Sequence, residues 1–207
     1  HTLVHAGALR VTSRGVFRLG YMFADLGHRV MRDGNLAGLL QPILDQLAQA
    51  TGEACMATEF DRDMAVCIAK ALPDRPLYVD IRIGSKLDAF CTAHGKLWLA
   101  HMSKTDQDRY FAKADLTRMT DHTLTDLTAL KSELAQIRKA GFATNNGERE
   151  HDIYAIAVPI TTLHGTMVSA FSVFGASPAL LDQKRDTLLN ALTQATENAQ
   201  RALHGKD

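Results

Sequence analysis

Two long apolar runs in the C-terminal third constrain the fold of this chain more than any other feature. Residues 153–160 and 167–175 are apolar at most positions, and they flank a short connection over 161–165 that contains Gly165. Two such runs joined by a glycine-bearing loop predict a β-hairpin. Because successive residues of a strand point to opposite faces, we expect other elements to cover both faces of this hairpin.

Two serines interrupt the second run. Ser169 and Ser172 stand among apolar neighbours, and a buried hydroxyl group is costly unless it makes a hydrogen bond. Each hydroxyl either bonds to a backbone carbonyl or, in a pocket, binds a ligand. The hairpin therefore belongs either to a plain core or to the wall of a binding site.

The charge balance argues against several classes of protein. The 207 residues contain 23 Lys and Arg and 23 Asp and Glu, so the formal net charge is zero. Nucleic-acid binding over most of the chain and adsorption to anionic membranes both need excess positive charge. Three cysteines without metal-ligand spacing predict reduced thiols in a cytoplasmic protein. We expect no membrane partner, no metal and no cofactor.

The remaining pattern alternates between helices and a meander of strands. Apolar residues recur at helical spacing in five places: over 21–32, 36–51 and 92–102, from Thr125 to Gly141, and from Ser177-Pro178 to about residue 203. Pro42 is expected to bend or interrupt the second of these helices. Strands are predicted over 53–60, 64–72 and 77–83. This order is typical of an α+β sensor domain on an antiparallel sheet.

The first twenty residues predict the end of a helix followed by a small basic hairpin. Residues 1–6 fit the last turns of a helix that Gly7 ends, and 9–12 and 16–19 alternate as strands around a loop at 13–15. This arrangement is typical of the end of a winged helix-turn-helix unit, whose wing would contact DNA phosphates through Arg10, Arg14 and Arg18. A short hairpin with surface arginines is the alternative.

Several segments together resemble the C-terminal part of the IclR family of transcriptional regulators. They are Phe17-Arg18-Leu19-Gly20, residues 47–53 (LAQATGE), 94–100 (HGKLWLA) and 133–142 (ELAQIRKAGF), and the hairpin segments 156–160 and 171–175. Their order and spacing are more specific than any one of them, and they extend over nearly the whole chain. The resemblance implies a winged helix-turn-helix, a linker helix and a GAF-like, profilin-like effector-binding domain.

The resemblance also implies boundaries and partners. Residues 1–20 would be the remnant of the winged helix-turn-helix, 21–34 the linker helix, and 35–207 the sensor domain, an antiparallel sheet of about six strands flanked by helices. Because most of the DNA-reading unit is missing, we expect this chain to bind DNA weakly or not at all. The resemblance further implies a homodimer formed through the N-terminal half, or a homotetramer formed through the effector domains as well.

By the same resemblance, the effector pocket lies between the sheet and the loop and helix at 90–96. The backbone N–H groups of Ala93 and His94 would hold a ligand carboxylate, as a helix N-terminus favours an anion. The resemblance also assigns Asn145, Ala155, Ser172 and Phe174 to the pocket. Phe90 and Tyr154 would add apolar surface to it. An aromatic ring at 174, where some relatives have a hydroxyl, predicts an organic acid with an apolar or aromatic body. Phe174 as a plain core residue is the alternative.

An enzyme is the competing function from another class. Cys91 lies at a predicted helix start and His94 follows three residues later, as a nucleophile and its base would. The sequence offers no third group to orient the base, so no catalysis is expected. A stand-alone GAF-like sensor with an unrelated N-terminal hairpin is the remaining alternative.

Overall fold

The computed structural model of the chain describes residues 2–12, 15–22, 36–74, 76 and 78–204. They fall into two compact units, His1–Leu39 and Leu40–Asp207. In chain order the elements are α1 (Thr2–His5), β1 (Leu9–Val11), β2 (Phe17–Leu19), α2 (Leu36–Thr51), β3 (Ala54–Asp61), β4 (Met64–Ala71), β5 (Lys86–Asp88), α3 (Ala93–His101), α4 (Lys104–Phe111), α5 (Leu127–Ala140), β6 (Ala143–Asn146), β7 (Tyr154–Thr161), β8 (Met167–Gly175) and α6 (Arg185–Leu203).

The first unit contains the short helix and the hairpin that the sequence predicts. Helix α1 ends at Gly7, whose φ of +73° is the left-handed conformation typical of a helix C-terminus. Strands β1 and β2 pair antiparallel. Gly20 lies so close to Gly7 that a Cβ atom would come within 1.8 Å of the Gly7 carbonyl oxygen. The predicted linker helix over 21–34 lies outside the described residues from position 23 onward, so it stays a prediction.

The second unit is built on a six-stranded antiparallel sheet of order β5-β4-β3-β8-β7-β6. Local sequence explains its two hairpins. Arg62 and Asp63 both adopt positive φ between β3 and β4, and Gly165 has a φ of +79° between β7 and β8. The β7–β8 hairpin lies in the middle of the sheet because β8 also pairs with β3. The predicted α+β class with about six antiparallel strands is confirmed.

Both faces of the central hairpin are covered, as its apolar runs predict. One face, here called the inner face, joins α3 and α5 in one buried cluster, and its side chains are mostly small: Ala54, Ala143, Ala155, Ala157 and Ala170. The alternate residues, among them Ile156, Phe171 and Val173, are buried on the other face, where α6 packs against β7 and β8. Because alanine side chains are short, the inner face leaves room for a close helix and for a cavity.

Two predicted elements are wrong. Residues 78–83 form no strand: the chain reaches the sheet edge only at Gly84, whose N–H donates to the Cys67 carbonyl, and pairs from there into β5. Ser177 does not begin the last helix either, because it caps only a 3₁₀ turn over Pro178–Leu180. The chain turns again at Lys184, whose Nζ lies 2.8 Å from Oε1 of the buried Glu53, before α6 begins.

Smaller differences concern the other helices. Helix α2 continues through Pro42 without interruption, so the predicted break does not occur. Asp126, and not Thr125, caps α5, since its side chain accepts a hydrogen bond from the Ala129 N–H, and Gly141 ends that helix as predicted. The sequence patterns gave no prediction of helix α4 or of strand β6.

Helix α3 begins in very close contact with the segment that precedes it. Its N-cap, Thr92, accepts a hydrogen bond from the Gly95 N–H at 3.2 Å and donates one to the Asp88 carbonyl at 2.7 Å. A Cβ atom at Gly95 would lie 2.2 Å from the Cα atom of Ala89 and 2.6 Å from its carbonyl oxygen. Only glycine permits this approach, which holds the first turn of α3 against residues 88–92.

We expect Gly95→Ala to destabilise the protein by about 3 kcal/mol or more, because the new methyl group meets backbone that has no room to move. Gly165→Ala is the matched control. Its Cβ atom would have no neighbour within 4 Å, so only the left-handed φ is strained, at a cost of about 1–2 kcal/mol. The free energies of unfolding of both variants can be measured by urea denaturation. Equal losses in the two variants would contradict the close packing of α3.

Candidate ligand-binding site

A cavity of about 460 Å³ lies between the inner face of the sheet, the N-terminus of α3, the segment 79–87 that leads into β5, and the loop at 149–153. Its most buried lining residues are Met56, Ala93, His94, Asn145, Ala155 and Phe174, which we call the floor. Exposed or half-buried residues line its mouth and are called the rim: Asp80, Arg82, Lys86, Arg149 and Glu150. A volume of this size accommodates a small organic molecule.

The first turn of α3 brings two backbone donors to the floor. Gly95 N–H is taken by the Thr92 side chain and Lys96 N–H by the Thr92 carbonyl. The N–H groups of Ala93 and His94 donate no hydrogen bond to any described residue, as is usual in the first turn of a helix. Both residues line the cavity, where two free donors and the positive end of the helix dipole favour an anion.

The side chain of His94 holds this helix turn to the sheet. Its Nδ1 shares a hydrogen bond of 2.8 Å with Oγ1 of Thr58 on β3, and its Nε2 one of 2.7 Å with Oγ of Ser172 on β8. Trp98 donates a further bond, from Nε1 to Thr58 Oγ1 at 3.3 Å. Burial lowers the pKa of His94 to about 3. The ring is therefore neutral, with one nitrogen donating and the other accepting.

The two serines of β8 have different partners. Ser169 Oγ donates to the backbone carbonyl of Thr58 at 3.0 Å, which is the structural alternative considered for both serines. Ser172 bonds instead to the His94 ring and lies behind it, outside the cavity lining. Ser172 thus orients a floor residue and is a positioning residue.

A cross-strand row completes the floor. Asn145 on β6 lies opposite Ala155 on β7, and Ala155 lies opposite Phe174 on β8. Asn145 Oδ1 accepts a hydrogen bond from the Glu148 N–H at 2.9 Å. Its Nδ2 bonds to no described residue, so the amide has a donor left for a molecule in the cavity.

A buried ion cluster fixes the wall beside the floor, and the sequence reasoning missed it. Lys96 on α3 is 1% exposed, and its Nζ lies 2.6 Å from Oε1 of Glu133 on α5 and 2.6 Å from Oε1 of Glu148. Burial raises the pKa of Glu148 against the opposing effect of Lys96, and its Oε2 has no partner among the described residues. A lysine directly before the apolar segment 97–100 was the only signal in the sequence.

The predicted site residues fall into two groups. Ala93, His94, Asn145, Ala155 and Phe174 line the cavity. Three others do not: Ser172 lies behind His94, Tyr154 pairs with Asn146 and Gly175 outside the lining, and Phe90 lines a separate cavity of about 180 Å³ beside Tyr110. Phe174 is fully buried and at the same time part of the cavity wall. Ligand contact by any of them stays a prediction.

The geometry speaks against a Cys91–His94 dyad. Burial raises the pKa of the Cys91 thiol to about 12, which disfavours the nucleophilic thiolate. The hydroxyls of Thr58 and Ser172 occupy both ring nitrogens of His94, so neither nitrogen is available as a base for Cys91.

The predicted wing arginines lie in the first unit. Arg10 and Arg18 are exposed and directly opposite each other on β1 and β2, and the Arg10 guanidinium lies 4.5 Å from the centre of the Tyr21 ring. Arg14 lies outside the described residues. DNA contact by these residues stays a prediction.

The described part of the chain has neither a metal-binding cluster nor a helix able to span a membrane. No group of three or more His, Cys, Asp and Glu residues there is arranged to hold a metal ion. Within the same residues, every helix is too short or too polar to cross a bilayer.

Comparison with known proteins identifies the family. Residues 28–201 match the family model of the C-terminal part of the bacterial transcriptional regulator IclR. The chain belongs to the IclR family. This match covers the whole cavity, so the cavity lies in the ligand-binding domain of an IclR-family regulator.

Individual IclR-family proteins agree with this result. The Pca regulon regulatory protein of Pseudomonas putida is 31% identical over 185 residues, covering 83% of this chain and 64% of that protein. The crystal structure of IclR from Thermotoga maritima has a TM-score of 0.77 at 28% identity, covering 98% of this chain and 82% of that one. An IclR homologue from Microbacterium hydrocarbonoxydans, in complex with 4-hydroxybenzoate, has a TM-score of 0.75 at 22% identity, covering 99% and 82%, and shows the common fold. The chain spans 64%, 61% and 66% of the lengths of three curated relatives, among them the Pseudomonas putida protein.

We expect Lys96→Met to destabilise the domain by about 3–5 kcal/mol, because it leaves the buried carboxylate of Glu148 without a counter-charge. Lys113→Met is the matched control. Lys113 pairs with Asp63 at the surface, with both side chains more than 40% exposed, so its loss should cost less than about 1 kcal/mol. Urea unfolding compares them, and a Lys96 variant no less stable than the Lys113 variant would be evidence against a structural role of the cluster.

The neutral His94 predicts a pH dependence of stability. Its pKa is lowered to about 3 in the native state, so between roughly pH 6.5 and pH 3 unfolding takes up a proton at this residue. Its contribution therefore makes the native state less stable as the pH falls through this range, by at most about 1.4 kcal/mol per pH unit. His94→Gln should remove this slope, measured by urea unfolding between about pH 7 and pH 5.

His101→Gln serves as the control for this measurement, because His101 lies half-buried at the other end of α3, away from the cavity lining. This variant should keep the slope that His94 contributes. An unchanged slope in His94→Gln would show that His94 is not held neutral in the native protein.

Proposed function

We propose that this chain is the sensor part of a transcriptional regulator that binds a small organic acid, with the acid's carboxylate at the N-terminus of α3. The single observation that carries the proposal is the pair of free N–H groups of Ala93 and His94 at the floor of the cavity. The Asn145 amide supplies a third donor beside them. Hydrogen bonds to a charged acceptor are stronger than those to a neutral one, so three donors give both affinity and orientation.

The body of the ligand is apolar or aromatic. Met56, Leu87, Ala155 and Phe174 supply the apolar part of the wall. The 4-hydroxybenzoate bound by the related Microbacterium hydrocarbonoxydans protein supports an acid of this class. The occupied ring nitrogens of His94 and the high pKa of Cys91 support binding without catalysis.

The complete regulator would bind DNA through a winged helix-turn-helix and would act in the cytoplasm as a homodimer or homotetramer. The exposed, facing arginines Arg10 and Arg18 support a phosphate-contacting wing, because two like charges opposite each other on a hairpin are unfavourable without an anion. A ligand changes DNA binding only as far as it binds one arrangement of the protomers more tightly than another.

We expect Ala93→Pro to abolish acid binding without unfolding the domain. Proline is well tolerated at the first position of a helix, and Thr92 before it already has the extended backbone that proline requires, with φ −126° and ψ 151°. The substitution removes one free N–H and puts a ring carbon in its place. Benzoate and 4-hydroxybenzoate should raise the melting temperature of the wild type and lose this effect in the variant.

Leu127→Pro is the matched control, since Leu127 is the first residue of α5, follows the extended Asp126 and lies outside the cavity. It should keep both the fold and the ligand-induced shift. An Ala93→Pro variant that folds and still binds these acids as the wild type does would overturn the proposed placement of the carboxylate.

A further inference from the structure

The rim of the cavity carries positive charge that its own carboxylates do not neutralise. Asp80 forms an ion pair with Lys70, which lies outside the lining, and Glu150 pairs with Arg149. Arg149 also forms an ion pair with Asp88, since its Nε lies 2.8 Å from Oδ2 of Asp88. Both rim carboxylates are thus paired, Asp80 with Lys70 and Glu150 with Arg149, which it shares with Asp88.

Two cations of the rim are left over. The side chains of Arg82 and Lys86 form no ion pair or hydrogen bond with any residue in the described part of the chain, although both line the cavity. Both side chains are exposed, so their charged groups stay hydrated in the free protein. Two unpaired cations beside one cavity create a positive potential that attracts a negative group.

The positive potential at the rim and the anion-accepting groups at the floor lie at different depths. Ala93 and His94 are at most 2% exposed, whereas Arg82 and Lys86 belong to the exposed class. A ligand whose carboxylate reaches the floor therefore presents its other end to the rim. A neutral end would leave both cations without a partner.

We propose that the effector is a dicarboxylic acid, whose second carboxylate binds Arg82 and Lys86 at the rim. This inference rests on the proposed function, because it takes the first carboxylate to lie at α3. Arginine offers a fork of donors that matches a carboxylate, and the lysine adds a second charge. The neighbouring carboxylates of Asp80 and Glu150 disfavour a doubly charged phosphate at the same place.

The test compares acids that share a body and differ in the second carboxylate: benzoate with terephthalate, and hexanoate with adipate. Isothermal titration calorimetry on the wild-type chain should show the diacid of at least one pair binding about tenfold more tightly than its monoacid. Because the rim is exposed, this difference should shrink as the salt concentration approaches about 1 M, where charges are strongly screened.

The double variant Arg82→Gln, Lys86→Gln should bring the affinity for the diacid down to about that for the monoacid. The affinity for the monoacid should fall much less, because its carboxylate lies at the floor and feels the rim charges only from a distance. Lys104→Gln is the matched control, because Lys104 is an exposed lysine on α4 outside the cavity lining. It should bind both acids as the wild type does. Urea unfolding checks that all variants are equally stable.

The outcomes separate this inference from the proposed function. Equal binding of monoacid and diacid, or equal loss of both in the double variant, overturns the dicarboxylate and leaves the acid-binding site standing. If none of the four acids binds, the proposed function and the inference fail together. A tenfold preference that disappears in the double variant alone supports the inference.

Discussion

The hydrogen bonds of the His94 ring are the interaction on which the rest of the site depends. They join the first turn of α3 to two strands of the sheet, through Thr58 on β3 and Ser172 on β8. A buried imidazole that bonded at only one nitrogen would leave a polar atom unsatisfied, so the turn has one favourable position. That position leaves the N–H groups of Ala93 and His94 at the floor of the cavity.

The packing around this turn explains why the cavity exists. Glycine at 95 lets helix α3 approach residues 88–92 closely. The short alanine side chains on the inner face leave space between the sheet and this helix. The buried Lys96 then ties α3 to α5 and to Glu148, next to the rim residue Arg149. Such buried ion pairs add little net stability, but losing one partner is costly, so the cluster holds the geometry of the wall.

Much of the architecture follows from local sequence, because the deciding signals are short-range. The apolar runs at 153–160 and 167–175 form β7 and β8, and Gly7 and Gly141 end helices as expected. The loop at 78–83 was mistaken for a strand because its alternating pattern suits an edge strand as well as a cavity wall. Ser177-Pro178 began only one turn, since the later contact of Lys184 with Glu53 decides where α6 begins.

The amino-acid sequence by itself determined the sheet's central hairpin, the helix start at Thr92 and, through the order of several motifs, membership of the IclR family. Only the tertiary structure decided that Ser172 bonds to His94, that Lys96 is buried between two glutamates, and that Phe90 and Tyr154 lie outside the cavity. Hydrogen bonds, burial and unpaired charge depend on residues far apart in the chain, such as Thr58, His94 and Ser172. No local pattern contains the distances between them.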